Sequence, residues 1–184
     1  SMLNDDADAP CMEARRPKDW HPALVVVDVQ NKFYKATEGL RESVDRSMSA
    51  MNDAIAAFRD AGLPILFVSF DGSVPECMAD CEDADGFVDG LDFREGDTVI
   101  HKTRMNCFLD SPLEDRLRAC GCDSIVLIGL VAHMCVLATY FDSYNRGFDP
   151  FMCRGALSAT DQRNVEHVEA ITQTLCVDDL RNFL

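Results

Sequence analysis

The apolar residues of this 184-residue chain fall into two kinds of pattern. Short continuous runs alternate with longer stretches in which apolar positions recur three or four residues apart. Ala23-Leu24-Val25-Val26-Val27 is a β-branched run of the kind buried on both faces of a sheet. Ile65-Leu66-Phe67-Val68, Thr98-Val99-Ile100 and Ile125-Val126-Leu127-Ile128 repeat it, and Phe151-Met152-Cys153 is a shorter fifth case. Residues 42–61 show the second pattern, with Val44, Met48, Met51, Ile55 and Phe58 on one helical face and Gly62 as the terminator. Ser111-Pro112-Leu113 starts another helix, with a capping hydroxyl and a proline at the first helical position, and Gly121 ends it. A helix from about His133 to Arg146 stops at Gly147, and a last one is expected over residues 164–175, before a short tail.

Strands that alternate with helices across short turns build a parallel sheet covered on both faces. The expected fold is therefore α/β, a three-layer Rossmann-like arrangement with a mostly parallel central sheet. Residues 23–184 form one domain, preceded by an aperiodic N-terminal arm at 1–22, with no internal repeat or linker. Residues 71–96 interrupt the alternation. They are rich in Asp and Glu with a single base, Arg94, and read as a solvated loop or irregular insert. Residues 124–141 are apolar enough to suggest a membrane span, but His133 and the polar flanks divide them into a strand and a helix.

Composition narrows the function. A hydrophobic content of 47% over this length is enough for one core. Seventeen Lys and Arg against 32 Asp and Glu give a net charge of −15, which repels phosphate backbones and anionic membranes. Nucleic acid and membrane are thus poor partners, and a small molecule is the better one. Nine cysteines is an odd number in a chain too long and too apolar to be stapled by disulfides. Without a basic start followed by an apolar stretch, the expectation is a cytoplasmic protein with free thiols.

The chemistry follows from what leaves each strand, because open parallel sheets bind ligands beyond the carboxyl ends of their strands. Asp28 follows the first run, Lys102 the third, and Cys135 lies a tight turn beyond Gly129, in the first turn of a helix. A cysteine in an apolar segment is ordinarily a core residue, which is how Cys107, Cys153 and Cys176 read. Asp28 alone would serve as a turn residue or ion-pair partner, and Lys102 alone as a solvated charge. Together, at one sheet edge, they supply a thiol, a carboxylate base and a cation that favours the thiolate. The amides of a helix start add donors for an oxyanion.

These residues also carry a family resemblance. Asp28 in "ALVVVDVQNKF", Lys102 in "DTVIHKTRMNCF" and Cys135 in "VLIGLVAHMCV" are similar to the motifs of the isochorismatase-like cysteine hydrolases. Gln30, Phe33, Phe108, Gly129 and Gly147-Phe148-Asp149 agree as well, over residues 23–159. The resemblance implies a catalytic Asp28–Lys102–Cys135 triad and a non-proline cis peptide between Leu130 and Val131. It also implies an oxyanion hole from the backbone N–H groups of Val131 and Cys135, and assembly as a homo-dimer or homo-tetramer. Two positions depart from it: Ala132 replaces a frequent hydroxyl residue, and Gly155 a frequent Asp.

The expected reaction is cleavage of a C–N bond in a small amide, ureide or carbamoyl compound through a thioester. Phe33, Arg104, Phe108 and His133 are candidate substrate contacts. No cofactor is expected, and no metal. The nicotinamidase branch of the family carries Asp-x-His after the second strand, where this chain reads Phe70-Asp71-Gly72-Ser73. Cys77 and Cys81 lack a matching second pair, and Cys120-x-Cys122 is spaced too closely for zinc. Two alternatives remain. One is vinyl-ether cleavage, performed in the family by members lacking the nucleophilic cysteine. The other is a silent binding or assembly protein, whose Cys135 would label with iodoacetamide no faster than the other thiols.

Overall fold

The computed structural model describes residues 20–184. The chain runs β1 (Pro22–Val27), α1 (Asn31–Tyr34), α2 (Glu38–Asp60), β2 (Ile65–Phe70), α3 (Glu76–Ala79), β3 (Thr98–Lys102), α4 (Leu113–Ala119) and β4 (Ser124–Leu130). A π-helical segment (Ala132–Val136) then leads into α5 (Leu137–Asn145), β5 (Asp149–Ser158), α6 (Gln162–Ile171), β6 (Thr174–Leu175) and α7 (Val177–Phe183).

The six strands form one sheet in the order β3-β2-β1-β4-β5-β6, and every pairing is parallel. β1 and β4 are completely buried, as their unbroken apolar runs require. One core lies on each face. Val25, Val27, Leu127 and Ile125 point to the layer of α4 and Tyr140, and Leu24, Val26, Val126 and Ile128 to that of α2. Helix α2 buries Val44, Met51, Ile55 and Phe58, and Gly62 closes the chain reversal with a φ of +67°. Ser111 accepts a hydrogen bond from the Leu113 N–H at 3.2 Å, with Pro112 one residue ahead of the helix it was expected to begin.

Expectations at both ends of the chain are corrected. The arm expected at residues 1–22 lies outside the described residues as far as 19. Its last three residues belong to the domain: Trp20 packs on Phe151 with ring centroids 4.6 Å apart, and Pro22 opens β1. The last helix ends at Ile171, and the stretch read as its end is β6, pairing Thr174 and Leu175 with Met152 and Cys153. The sheet edge takes those residues because β5 offers them backbone partners that a helix end would lack. The tail is helix α7. Cys176 and Asp179 cap it reciprocally, through Sγ to the Asp179 N–H and Oδ2 to the Cys176 N–H.

The 71–96 insert is not a loose solvated loop. Phe87 and Phe93 pack against Phe67 of β2, with centroids 5.7 and 5.1 Å away, and Val88 and Leu91 are buried. Arg59 of α2 clasps its far end, donating to both Asp97 carboxylate oxygens at 2.8 and 2.6 Å and to the Asp92 carbonyl at 2.7 Å. Among the described residues no helix is long and apolar enough to cross a membrane.

Candidate active site

The sheet reverses its winding at β1: the chain builds β2 and β3 outward on one side, then returns to lay β4 on the other. Crevices form at such a switch point, beyond the carboxyl ends of the strands. Asp28 is the residue after β1, with a left-handed φ of +55° that Asp tolerates better than bulkier residues. Its N–H is held by the Val68 carbonyl at 3.2 Å. Lys102 ends β3 and reaches back under β2. Cys135 sits in the π-helical segment that follows β4.

Gly129 sets that last approach. It has a φ of +112°, and a β-carbon there would collide with the Val27 carbonyl oxygen. The pairing of β4 with β5 also shifts register between Leu127 and Gly129. The Leu130–Val131 peptide is cis, and the Met134 N–H bonds the Val131 carbonyl at 2.9 Å. Met134 departs from helical dihedrals, so the segment bends before α5. Thr139 anchors the turn. Its hydroxyl donates to the Cys135 carbonyl at 2.7 Å and accepts from the Cys107 N–H at 3.0 Å.

The fold brings Asp28, Lys102 and Cys135 together. Lys102 Nζ lies 3.0 Å from Asp28 Oδ2, with both side chains essentially sealed from solvent. The ammonium also donates to the carbonyls of Arg104 and Met105, each at 2.9 Å, and lies 5.1 Å from the Phe70 ring centroid. Asp28 Oδ1 is buried with no hydrogen bond formed. Burial pushes the Asp28 carboxyl up to about 6, against the pull of Lys102, the Cys135 thiol and Lys32. Burial and the neighbouring Asp28 charge push the Cys135 thiol up to about 12, with Lys102 opposing. Burial works against the Lys102 ammonium, yet Cys107, Asp28 and Cys135 hold it above the usual lysine value. At neutral pH the anion facing it is Asp28, because burial drives Cys107 up to about 12 as well. The resting arrangement is therefore thiol, carboxylate and ammonium, with the carboxylate poised to take a proton.

A cavity of about 400 Å³ opens onto Asp28 and Cys135, with Lys102 sealed behind the carboxylate. Asp28 and Cys135 line it, with Phe33, Phe70, Arg104, Leu130 and Val131 among its walls. The expected substrate contacts divide here. Phe33 and Arg104 reach the cavity. Phe108 does not: it is buried in the core, stacked on Phe148 at 6.0 Å. His133 is exposed and outside the lining, because the non-helical Met134 turns its own side chain into the cavity instead. Ala132 is buried in the core, and Gly155, with a φ of +82°, donates its N–H to Glu169 Oε1 at 2.9 Å.

Several neighbours of the site escaped sequence reading. Lys32, which the sequence did not single out, is buried, donating to the Phe70 carbonyl at 2.6 Å and to Asp85 at 2.5 Å. Gln30 accepts from the Phe70 N–H at 2.8 Å and donates to the Asp85 carbonyl at 3.0 Å. These two side chains fasten the acidic insert to the end of β2. Its first part, Ser73 to Met78 in sequence, then forms one cavity wall. Asp71 pairs with His101 at 2.6 Å. Among the described residues no group of three or more His, Cys, Asp or Glu side chains is arranged to hold a metal ion.

Comparison with known proteins agrees with this picture. The family model "Isochorismatase domain" matches residues 22–176. The chain is 30% identical to a probable isochorismatase of Pseudomonas chlororaphis, over 73% of this chain and 70% of that protein. It is 32% identical to streptothricin hydrolase of Streptomyces noursei, over 76% of this chain and 54% of that protein. The crystal structure of N-carbamoylsarcosine amidase from Thermoplasma acidophilum superposes with a TM-score of 0.70 at 28% identity, covering 85% of this chain and 96% of the other.

Proposed function

Given that the chain belongs to the isochorismatase family of hydrolases, we propose that it cleaves a C–N bond of an amide, ureide or carbamoyl compound through a thioester on Cys135. The observation that carries this reading is the buried Asp28 carboxylate, with one oxygen clamped by Lys102 and the other left without a hydrogen bond, beside a thiol at the cavity floor. A general base needs a free lone pair and a pKa near the working pH, and Asp28 has both. The amidase and hydrolase among the relatives above support the same class of chemistry.

In the first half-reaction Cys135 Sγ attacks the carbonyl carbon while Asp28 takes the thiol proton. The N–H groups of Val131 and Cys135 receive the developing oxyanion. The C–N bond then breaks, and the proton passes from Asp28 to the departing amine. Water attacks the thioester, gives its proton to Asp28, and releases the acid with the free thiol restored. Lys102 stays protonated throughout and keeps Asp28 ionised between steps.

The resemblance to a probable isochorismatase favours a second reading, vinyl-ether hydrolysis, in which a cysteine nucleophile has no part. One experiment separates the two: an ammonia- and amine-release screen over amides, ureides and carbamoyl acids, run beside isochorismate with Cys135→Ala as control. Loss of about four orders of magnitude in C–N cleavage by the variant supports the thioester route. Amidase activity that survives it overturns that route, and isochorismate turnover indifferent to the substitution establishes the second reading.

A further inference from the structure

The walls of the active-site cavity are unevenly made. Besides Asp28 and Cys135, the polar side chains that line it are Ser73, Thr103 and Arg104. All three are exposed at the rim, and the Arg104 side chain is 65% exposed, with the Asp110 carboxylate 4.0 Å from its Nε. Asp28 gives one oxygen to Lys102 and keeps the other for the thiol proton. The remaining lining is hydrocarbon or thioether, including Phe33, Phe70 and Leu130 on the inner side. Beyond the donors that receive its reacting carbonyl, a ureide or carbamoyl acid entering this space would strip water from several polar groups and find few replacements, a costly exchange. A hydrocarbon group would lose nothing.

Three methionines from separate segments converge on the cavity: Met78 from α3, Met105 from the loop after β3, and Met134 from the π-helical segment. Met105 and Met134 are 47% and 39% exposed, among the few large apolar side chains left facing solvent. Apolar surface gathered at the mouth of a cavity marks what that cavity receives. Unbranched thioethers fit themselves to alkyl chains and ring edges alike. A volume of about 400 Å³ also exceeds the needs of a two-carbon amide and lies in the range of ordinary ligand sites.

We infer that the substrate is an amide bearing a medium-sized hydrocarbon group, of benzyl or hexyl dimensions, and that Met78, Met105 and Met134 select it. The inference rests on Cys135 as the nucleophile of the proposed reaction, and it narrows the substrate class away from compact hydrophilic ureides.

The test uses alkylation of Cys135, which requires no turnover. The full-length protein is treated with 2-chloroacetamide, N-benzyl-2-chloroacetamide and N-hexyl-2-chloroacetamide, and the rates are read by peptide mass mapping and divided by those with glutathione. In this reaction the S–C bond forms as C–Cl breaks, the thiol proton passes to Asp28, and chloride leaves. The expected result is labelling by the benzyl and hexyl reagents at least about tenfold faster than by the parent. In Met78→Ser/Met105→Ser/Met134→Ser that ratio falls to near one. The single variants Met105→Ser and Met134→Ser, at half-exposed positions that tolerate a polar residue, each lower it by about two- to fivefold. Equal rates in the parent protein, or a preference that survives the triple variant, overturn the inference. Hydrolysis of carbamoyl acids without an apolar preference removes it while leaving the C–N reading intact. A clear labelling preference with no amide turned over removes that reading while the selectivity of the cavity stands.

Discussion

Two clusters of charge in this molecule obey opposite rules. In the clasp at the end of the insert, Arg59 forks onto Asp97 and reaches Asp92. Hydrogen bonds from Arg59 hold the Asp97 carboxyl below its ordinary value, and the Asp97 carboxylate holds the guanidinium above its own. Each partner stabilises the other's charged form. Beyond the carboxyl end of β1 the balance reverses. Burial outweighs Lys102, and the Asp28 carboxyl rises to about 6 despite a salt bridge of 3.0 Å. The difference lies in completeness: the half-buried clasp satisfies its carboxylate oxygens, whereas the site seals its charges from water and leaves Asp28 Oδ1 without a hydrogen bond. One arrangement holds two segments together. The other leaves a buried carboxylate with an unengaged oxygen beside a thiol.

The largest effect that would sharpen the contrast is expected from Lys102→Met. It strands a buried carboxylate, so unfolding in urea should show a loss of about 3–5 kcal/mol at neutral pH. The same variant should lift the acid limb of any residual activity, because the Asp28 pKa loses its main downward pull. A variant as stable as the parent would show that the ion pair is not sealed.

Next comes pH. Asp28 must be ionised to accept the thiol proton, so kcat/KM should fall about tenfold per pH unit below about 6. Stability should move differently in the two clusters. The folded pKa of Asp28 lies above the unfolded 3.8, so acidification from 6 towards 4 relieves the site. The folded pKa of Asp97 lies below 3.8, so the clasp's contribution persists there and is lost on further acidification. An activity profile flat between pH 5 and 7 would remove Asp28 as the base.

A smaller loss, about 1–3 kcal/mol, is expected for Arg59→Ala in thermal or chemical unfolding, with little change in turnover. Turnover falling in step with stability would mean that the clasp also shapes the cavity. The smallest effects distinguish core from pocket. Phe108→Leu should cost about 1 kcal/mol through lost packing and leave KM unchanged, and His133→Ala should alter neither. A KM change in either variant would restore that residue to the substrate.

Much of the fold was legible because its signals are local. The runs at Ala23 to Val27 and Ile125 to Ile128 could satisfy their length and branching only as buried strands. Gly62, Gly121 and Gly147 mark chain reversals with φ values of +67°, +70° and +89°. What failed was non-local. Thr174 and Leu175 continue a helical pattern, yet a free sheet edge claims them. The insert looked solvated by its charge, although Phe87, Val88, Leu91 and Phe93 stood among the acidic residues as a signal that it packs. Phe108 and His133 lie close to Lys102 and Cys135 in sequence, but a helix or turn sends neighbours to different faces.

By itself, then, the amino-acid sequence determined the alternation of strands and helices, the parallel sheet that follows from it, and which carboxylate, ammonium and thiol leave the strand ends. Those depend on spacing and residue type along the chain. Tertiary structure decided what lies across space: that Lys32 is buried against Phe70 and Asp85, that the insert folds down to wall the cavity, and that three methionines line the same cavity as Cys135. It also decided the chemistry of Asp28. The pKa of a carboxyl depends on how much water and how many donors surround it, and those are supplied by elements distant in the chain.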